Sequence, residues 1–98
     1  MTPSQYVVFH LPGPAWRPGL PLFEQEGVRL HVAHYATWRD QGKLVMGGPF
    51  LDAASGGMMI AAQSVEEEEL RAFAAADPAV ASGLLAFEVR PWLVGMRA

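Results

Sequence analysis

The order in which apolar periodicity changes along the chain limits its fold more than any other feature. Tyr6 to Leu11, Tyr-Val-Val-Phe-His-Leu, is a short β-rich run and predicts strand one. From about Phe23 to Gln41 the period becomes helical, with Val28, Val32, Tyr35 and Trp38 recurring at spacings of four, three and three. Gly42 supplies the stop. Lys43 to Phe50 and Met58 to Gln63 predict strands two and three, joined by a glycine-rich hairpin loop over Leu51 to Gly57. Ser64-Val-Glu-Glu67 has the form of a capping box, which opens a second helix carrying Leu70, Phe73, Ala74 and Asp77 on its inner face. Pro78 biases Asp77 out of the α region, Gly83 allows a left-handed turn, and Leu84 to Trp92 predicts strand four.

Strand, helix, strand, strand, helix, strand is the pattern of two split βαβ halves. It predicts an α+β, ferredoxin-like βαββαβ domain over residues 1–98, a four-stranded antiparallel sheet with two helices on one face. Alternation in strand one separates Val7, Phe9 and Leu11 from Tyr6, Val8 and His10. In strand four it separates Leu85, Phe87 and Val89 from Leu84, Ala86, Glu88 and Arg90. Tyr6, Val8 and His10, with Leu84 and Ala86, are expected on the face the helices leave open. Two such faces packed together give a C2 homodimer.

Composition supports this. Apolar residues make up 51% of the chain and charged residues only 17%, so there is material for a core and surface left to hide. A net charge of -3, with the lysine and arginines scattered, argues against nucleic-acid binding, which needs a basic stripe. With no cysteine there is no disulfide, no thiolate metal site and no cysteine nucleophile. Met-Thr-Pro-Ser-Gln lacks the regions of a signal peptide and no apolar run is long enough for a bilayer, so the expectation is a cytoplasmic protein without membrane contact.

No phosphate loop, dinucleotide fingerprint, nucleophile elbow or H-E-x-x-H motif is present, and no cofactor is implied. His31 falls inside the apolar stripe of the first helix and His34 at its edge. The two are three residues apart, but the angle between them is wide and no third ligand follows, so no metal is assigned. Glu66 to Glu69 suit a helix N-terminus and point in four directions, which does not make a cation site. The remaining constellation is His31 with Asp77, both on inward faces. A carboxylate accepting from one imidazole nitrogen fixes the tautomer and raises the basicity of the other, which makes a general base. The same pair also has a purely structural reading, a buried hydrogen bond between two helices. Gly47 and Gly48 have no side chains, so another group can approach the backbone closely there, and Pro49 limits pairing at the strand end. The proline-rich loop over residues 12–22 carries Trp16 and Arg17, and Trp16 there either closes a pocket or covers core edge.

Arg29-Leu-His31, Gly42-Lys-Leu, Gly47-Gly-Pro-Phe50 with Asp52, Ala76-Asp-Pro-Ala-Val80 with Gly83, and Val89-Arg-Pro-Trp92 together resemble the YciI-like (YCII-related) family. The resemblance covers nearly the whole chain. It implies a ferredoxin-like fold that dimerises as an α+β barrel. It also implies an active site of one histidine on the first helix and the aspartate of the Asp-Pro pair. His31, eleven residues before Gly42, matches that histidine; His34 does not. The chemistry the resemblance implies is proton abstraction, including dehydrohalogenation of aromatic breakdown products. The proline-rich loop is longer than in the shortest members of the family. The expectation is therefore a small homodimeric enzyme of lyase or isomerase type, acting on an unknown small molecule. In it His31 and Asp77 are catalytic, and Gly47, Gly48, Pro49 and Trp16 bind substrate. The alternative is a non-catalytic dimeric module for a small ligand or protein. A third reading is the oxygenase-like activity of related dimeric barrels, for which no residue here specifically supports haem.

Overall fold

The computed structural model describes all 98 residues. Strand β1 spans Gln5–Pro12, helix α1 Val28–Asp40, β2 Leu44–Pro49, β3 Gly57–Ala61, α2 Glu67–Ala75, a single-turn α3 Pro78–Ala81, and β4 Leu85–Trp92. The strands form one antiparallel sheet in the order β2-β3-β1-β4, the ferredoxin-like arrangement expected from the element order. No helix is long and apolar enough to cross a membrane.

The main core lies between the helices and one sheet face. Val8, Trp38, Ala61, Val65, Leu70, Ala74 and Val89 are buried together, with Tyr6, Met59, Phe73 and Phe87 packed around them. This corrects the expected assignment of faces. Tyr6, Val8 and His10 lie under the helices, since Val8 is in this cluster and His10 contacts Tyr35 of α1. Ala86 pairs with Leu11 and so shares the opposite face with Phe9 and Val7. Leu84 belongs to neither, being buried before β4 with Ala79 and Leu85. The face without helices carries Val7, Phe9, Met58 and Ile60, which are cross-strand neighbours. Phe50 stacks on Phe9 there, with ring centroids 6.4 Å apart, and the Arg90 guanidinium lies over the Phe9 ring.

Four local expectations also change. Helix α1 begins at Val28, because Leu22–Glu24 forms a 3-10 turn and Gly27, at φ +93°, breaks the path before the helix. Its buried stripe is Val28, His31, Tyr35 and Trp38, whereas Val32 is exposed. Helix α2 begins at Glu67 with Glu66 as its N-cap, so Ser64 and Glu67 form no capping box. The chain instead makes a turn in which Val65 N–H donates to Ala62 O, and Val65 joins the core. Asp77 does not lie on α2. It is the N-cap of α3, with Pro78 at the first position of that helix.

Candidate active site

Asp77 is fully buried, and each of its carboxylate oxygens has a hydrogen-bond partner. Oδ1 accepts from Ala79 N–H at 2.9 Å, and Oδ2 accepts from His31 Nδ1–H at 2.5 Å. The sequence places it there through Asp77-Pro78: proline suits the first helical turn, and aspartate is a favoured cap before it. Burial opposes charge on Asp77, but the bonds from His31 and Ala79 outweigh it and hold the carboxyl below its ordinary range. An ionised carboxylate therefore sits behind His31, as the sequence pattern predicts.

His31 is nearly buried on the inner stripe of α1. With Nδ1 bound to Asp77, Nε2 is the unprotonated nitrogen of the neutral ring. No protein group bonds to Nε2, and no buried side-chain nitrogen or oxygen lacks a partner, so this nitrogen is open rather than sealed. It opens on a cavity of about 400 Å³ between α1, β2 and the 3-10 turn. Gly47, Gly48 and Pro49 line this cavity beside His31. Gly47 is packed tightly, since a Cβ there would lie 2.1 Å from Met59 Sδ, whereas Gly48 has open space. Trp16 lies elsewhere. It packs on Ala79, Leu84 and Leu85 and lines a neighbouring cavity formed with the 50–56 hairpin loop. His34 is also apart: its Nε2–H donates to Phe73 O at 2.6 Å and its ring stacks on Phe73.

Two residues join the site that the sequence reading left out. His10 of β1 packs edge-on against His31, with ring centroids 5.0 Å apart. Its Nδ1 lies 3.3 Å from Ala86 O, and its Nε2 lies 2.8 Å from Tyr35 Oη. A carbonyl only accepts, so Nδ1 carries the proton and Nε2 accepts from the tyrosine hydroxyl. Burial, helped by the nearby His31, lowers the His10 pKa to about 4 and keeps the ring neutral. Burial and the Asp77 charge push the Tyr35 phenol upward, so it stays protonated. The signal for His10 was its place on the Tyr6-Val8-His10 side of β1, which the register puts under α1.

The donor atoms of His10, His31 and Asp77 lie within 4.8 Å of one another, the spacing of a small metal site. They do not fit a cation as they stand. Both His10 nitrogens, both Asp77 oxygens and His31 Nδ1 are already hydrogen-bonded, which leaves His31 Nε2 alone.

The YCII-related domain family model matches residues 16–93, which contain His31 and Asp77. The chain belongs to the YCII-related family. It is also similar to the uncharacterized protein YjpA of Bacillus subtilis (strain 168), 37% identical over 70 residues that cover 71% of this chain and 80% of that protein. The matched stretch carries His31 and Asp77 as a buried, hydrogen-bonded pair.

Proposed function

We propose that this protein is a small acid/base enzyme of lyase or isomerase type, in which His31 Nε2 removes a proton from a small molecule held in the cavity between α1 and β2. The observation that carries the reading is the asymmetry of one imidazole ring. Asp77 fixes Nδ1–H, while Nε2 faces an open cavity without a partner. Asp77 stabilises the imidazolium that forms when Nε2 takes the proton, and His31 then returns it to the product. Gly48 and Pro49 form part of the wall against which the substrate rests. Trp16, in the neighbouring cavity, acts on substrate access only through the loop that carries it.

The working form in this reading is a homodimer that covers the apolar sheet face of Val7, Phe9, Met58 and Ile60, as the dimeric α+β barrel requires. A non-catalytic dimeric binding module is the second reading. The complete burial of Asp77 favours it, since a carboxylate capping α3 and tethering α1 is a sufficient structural device.

Deuterium exchange separates the two. The protein is incubated in D₂O with a panel of small molecules bearing activated C–H groups, and deuterium incorporation is followed by NMR. The enzyme reading expects incorporation that His31→Gln abolishes while the fold persists. Incorporation that does not depend on His31, or none across the panel, leaves the binding module.

A further inference from the structure

We infer that the cavity takes an elongated carboxylate, with its anionic end at Arg39 and its proton donor at His31. This deepens the acid/base reading and rests on it for the role of the inner end.

The cavity has a polarity of its own. His31, Tyr35 and Arg39 follow one another at intervals of four along α1, and all three line it. Arg39 is the one lysine or arginine among its lining residues, and burial keeps the lining His10 neutral. No carboxylate lines the cavity. At the inner end the Asp77 carboxylate, held ionised, sits behind His31. An anionic group is therefore repelled from the inner end and attracted to the outer one. The walls between are mainly apolar, among them Leu44, Met46 and Met59. These walls suit a hydrocarbon body rather than a second charge.

Arg39 is available for this role. Its Nε donates to Asp40 at 3.1 Å, but both side chains are about two-thirds exposed, and such pairs contribute little. That bond uses one of the five guanidinium N–H donors, which leaves the terminal fork for a carboxylate.

The inner end selects for a donor. His31 Nε2 is an acceptor, and the Tyr35 hydroxyl proton is committed to His10, so the tyrosine oxygen also offers lone pairs. A ligand O–H or acidic C–H is matched there, and a carboxylate is not. Eight residues of helix separate the His31 and Arg39 Cα atoms by about 12 Å. A ligand that touches both side chains therefore needs an extended body of several carbons.

The test uses 6-hydroxyhexanoate, 6-hydroxyhexanamide and 3-hydroxypropanoate as probes, with dissociation constants from NMR shift titrations that follow the His31 and Tyr35 signals. The six-carbon acid is expected to bind at least tenfold more tightly than its amide, and more tightly than the three-carbon acid, which cannot span the site. Arg39→Gln, an exposed change whose fold a thermal melt verifies, should bring the acid down to the amide, and Arg39→Lys should recover part of the difference. Equal binding of acid and amide, or unchanged acid binding by Arg39→Gln, overturns the inference. The deuterium-exchange result is independent of both. Charge selectivity without His31-dependent exchange sinks the acid/base reading alone, and exchange without charge selectivity sinks the Arg39 inference alone.

Discussion

Tyr35 Oη donates to His10 Nε2 at 2.8 Å, and that bond settles the protonation of both residues. The tyrosine cannot ionise without leaving a buried phenolate, and the histidine cannot charge without losing its acceptor role in a buried site. His10 is thus a fixed neutral neighbour of His31. It orders one wall of the site and leaves His31 as the histidine free to exchange a proton with the cavity.

Acid should destabilise the protein in two stages. In the unfolded chain His10 takes a proton below pH 6.5, whereas in the fold it resists until about 4. The unfolded state binds more protons across that window, so stability falls as pH falls through it, by on the order of 3 kcal/mol. Asp77, held below its ordinary value of 3.8, adds a second loss at lower pH as it is finally protonated. Urea midpoints at pH 7.5, 5.5 and 4.5 should decline steadily. His10→Gln, which keeps an acceptor for Tyr35 and a donor for Ala86 O, should flatten the decline. A wild-type profile that is flat from pH 7 to 4.5 contradicts the neutral, buried His10.

Much of this was legible in the residues. The change from period two to period 3.6 and back placed six elements in order, and the ferredoxin-like sheet follows from that order. His31 is legible as a polar residue on the inner stripe of α1, and Asp77 through its Asp-Pro pair, although the helical periodicity assigns Asp77 to the wrong helix. What failed depended on pairing rather than periodicity. Alternation divides β1 into two faces but cannot say which one the helices cover, so it does not show that Tyr6, Val8 and His10 lie under them. The Ser64 capping pattern lost to packing, because Val65 is buried before the helix begins. Trp16 lay too many loop residues from any fixed element for its direction to be read. Gln25 gave no signal either, although its buried side chain bonds Arg17 N–H, Arg17 O and Leu20 O and so pins the loop.

The β2–β3 hairpin sets the position of His10, and glycine substitutions should show it. Gly56 has φ +75°, and a Cβ there would lie 2.2 Å from His10 O. Gly56→Ala meets both a backbone clash and an unfavourable left-handed conformation, so it should lose several kcal/mol, beyond the ~1 kcal/mol of conformational strain alone. Gly48→Ala, with nothing within 4 Å, should stay within about 0.5 kcal/mol of wild type. Denaturation of the two variants side by side is the measurement, and similar stabilities would place the hairpin elsewhere.

Asp77 has two jobs, and two substitutions divide them. In Asp77→Asn the amide oxygen can still cap Ala79 N–H, but the amide nitrogen then donates toward His31. His31 Nδ1 must become the acceptor, so the proton moves to Nε2 and the open base is lost. Asp77→Ala removes the cap, worth about 1 kcal/mol, and leaves a buried Nδ1–H without a partner, at about 1–3 kcal/mol. The expected result is a fold weakened by about 2–4 kcal/mol for alanine and clearly less for asparagine. Ring nitrogen shifts should report the tautomer change in Asp77→Asn. An unchanged tautomer there would mean that Asp77 does not orient His31.

Val7, Phe9, Met58 and Ile60 form a contiguous apolar patch across β1 and β3, with no helix packed over it and only Phe50 stacked on Phe9. Val7 is already buried by its neighbours, so Phe9, half-buried at the centre, is the residue to change. In a dimer built on this face, Phe9→Glu sets two carboxylates against each other in an apolar interface. It also faces Glu88, the cross-strand partner of Phe9 in β4. In a monomer the same change meets solvent, Glu88 and the Arg90 guanidinium, which lies over the present ring. Sedimentation at micromolar concentration should therefore give about twice the chain mass for wild type, since interfaces of obligate type persist there, and the chain mass for Phe9→Glu. His31 and Asp77 lie on the far side of the sheet from this face, so the ring-nitrogen pattern of His31 should be retained in the variant. A wild-type monomer removes the barrel. A Phe9→Glu variant that remains dimeric moves the interface to another surface of the chain.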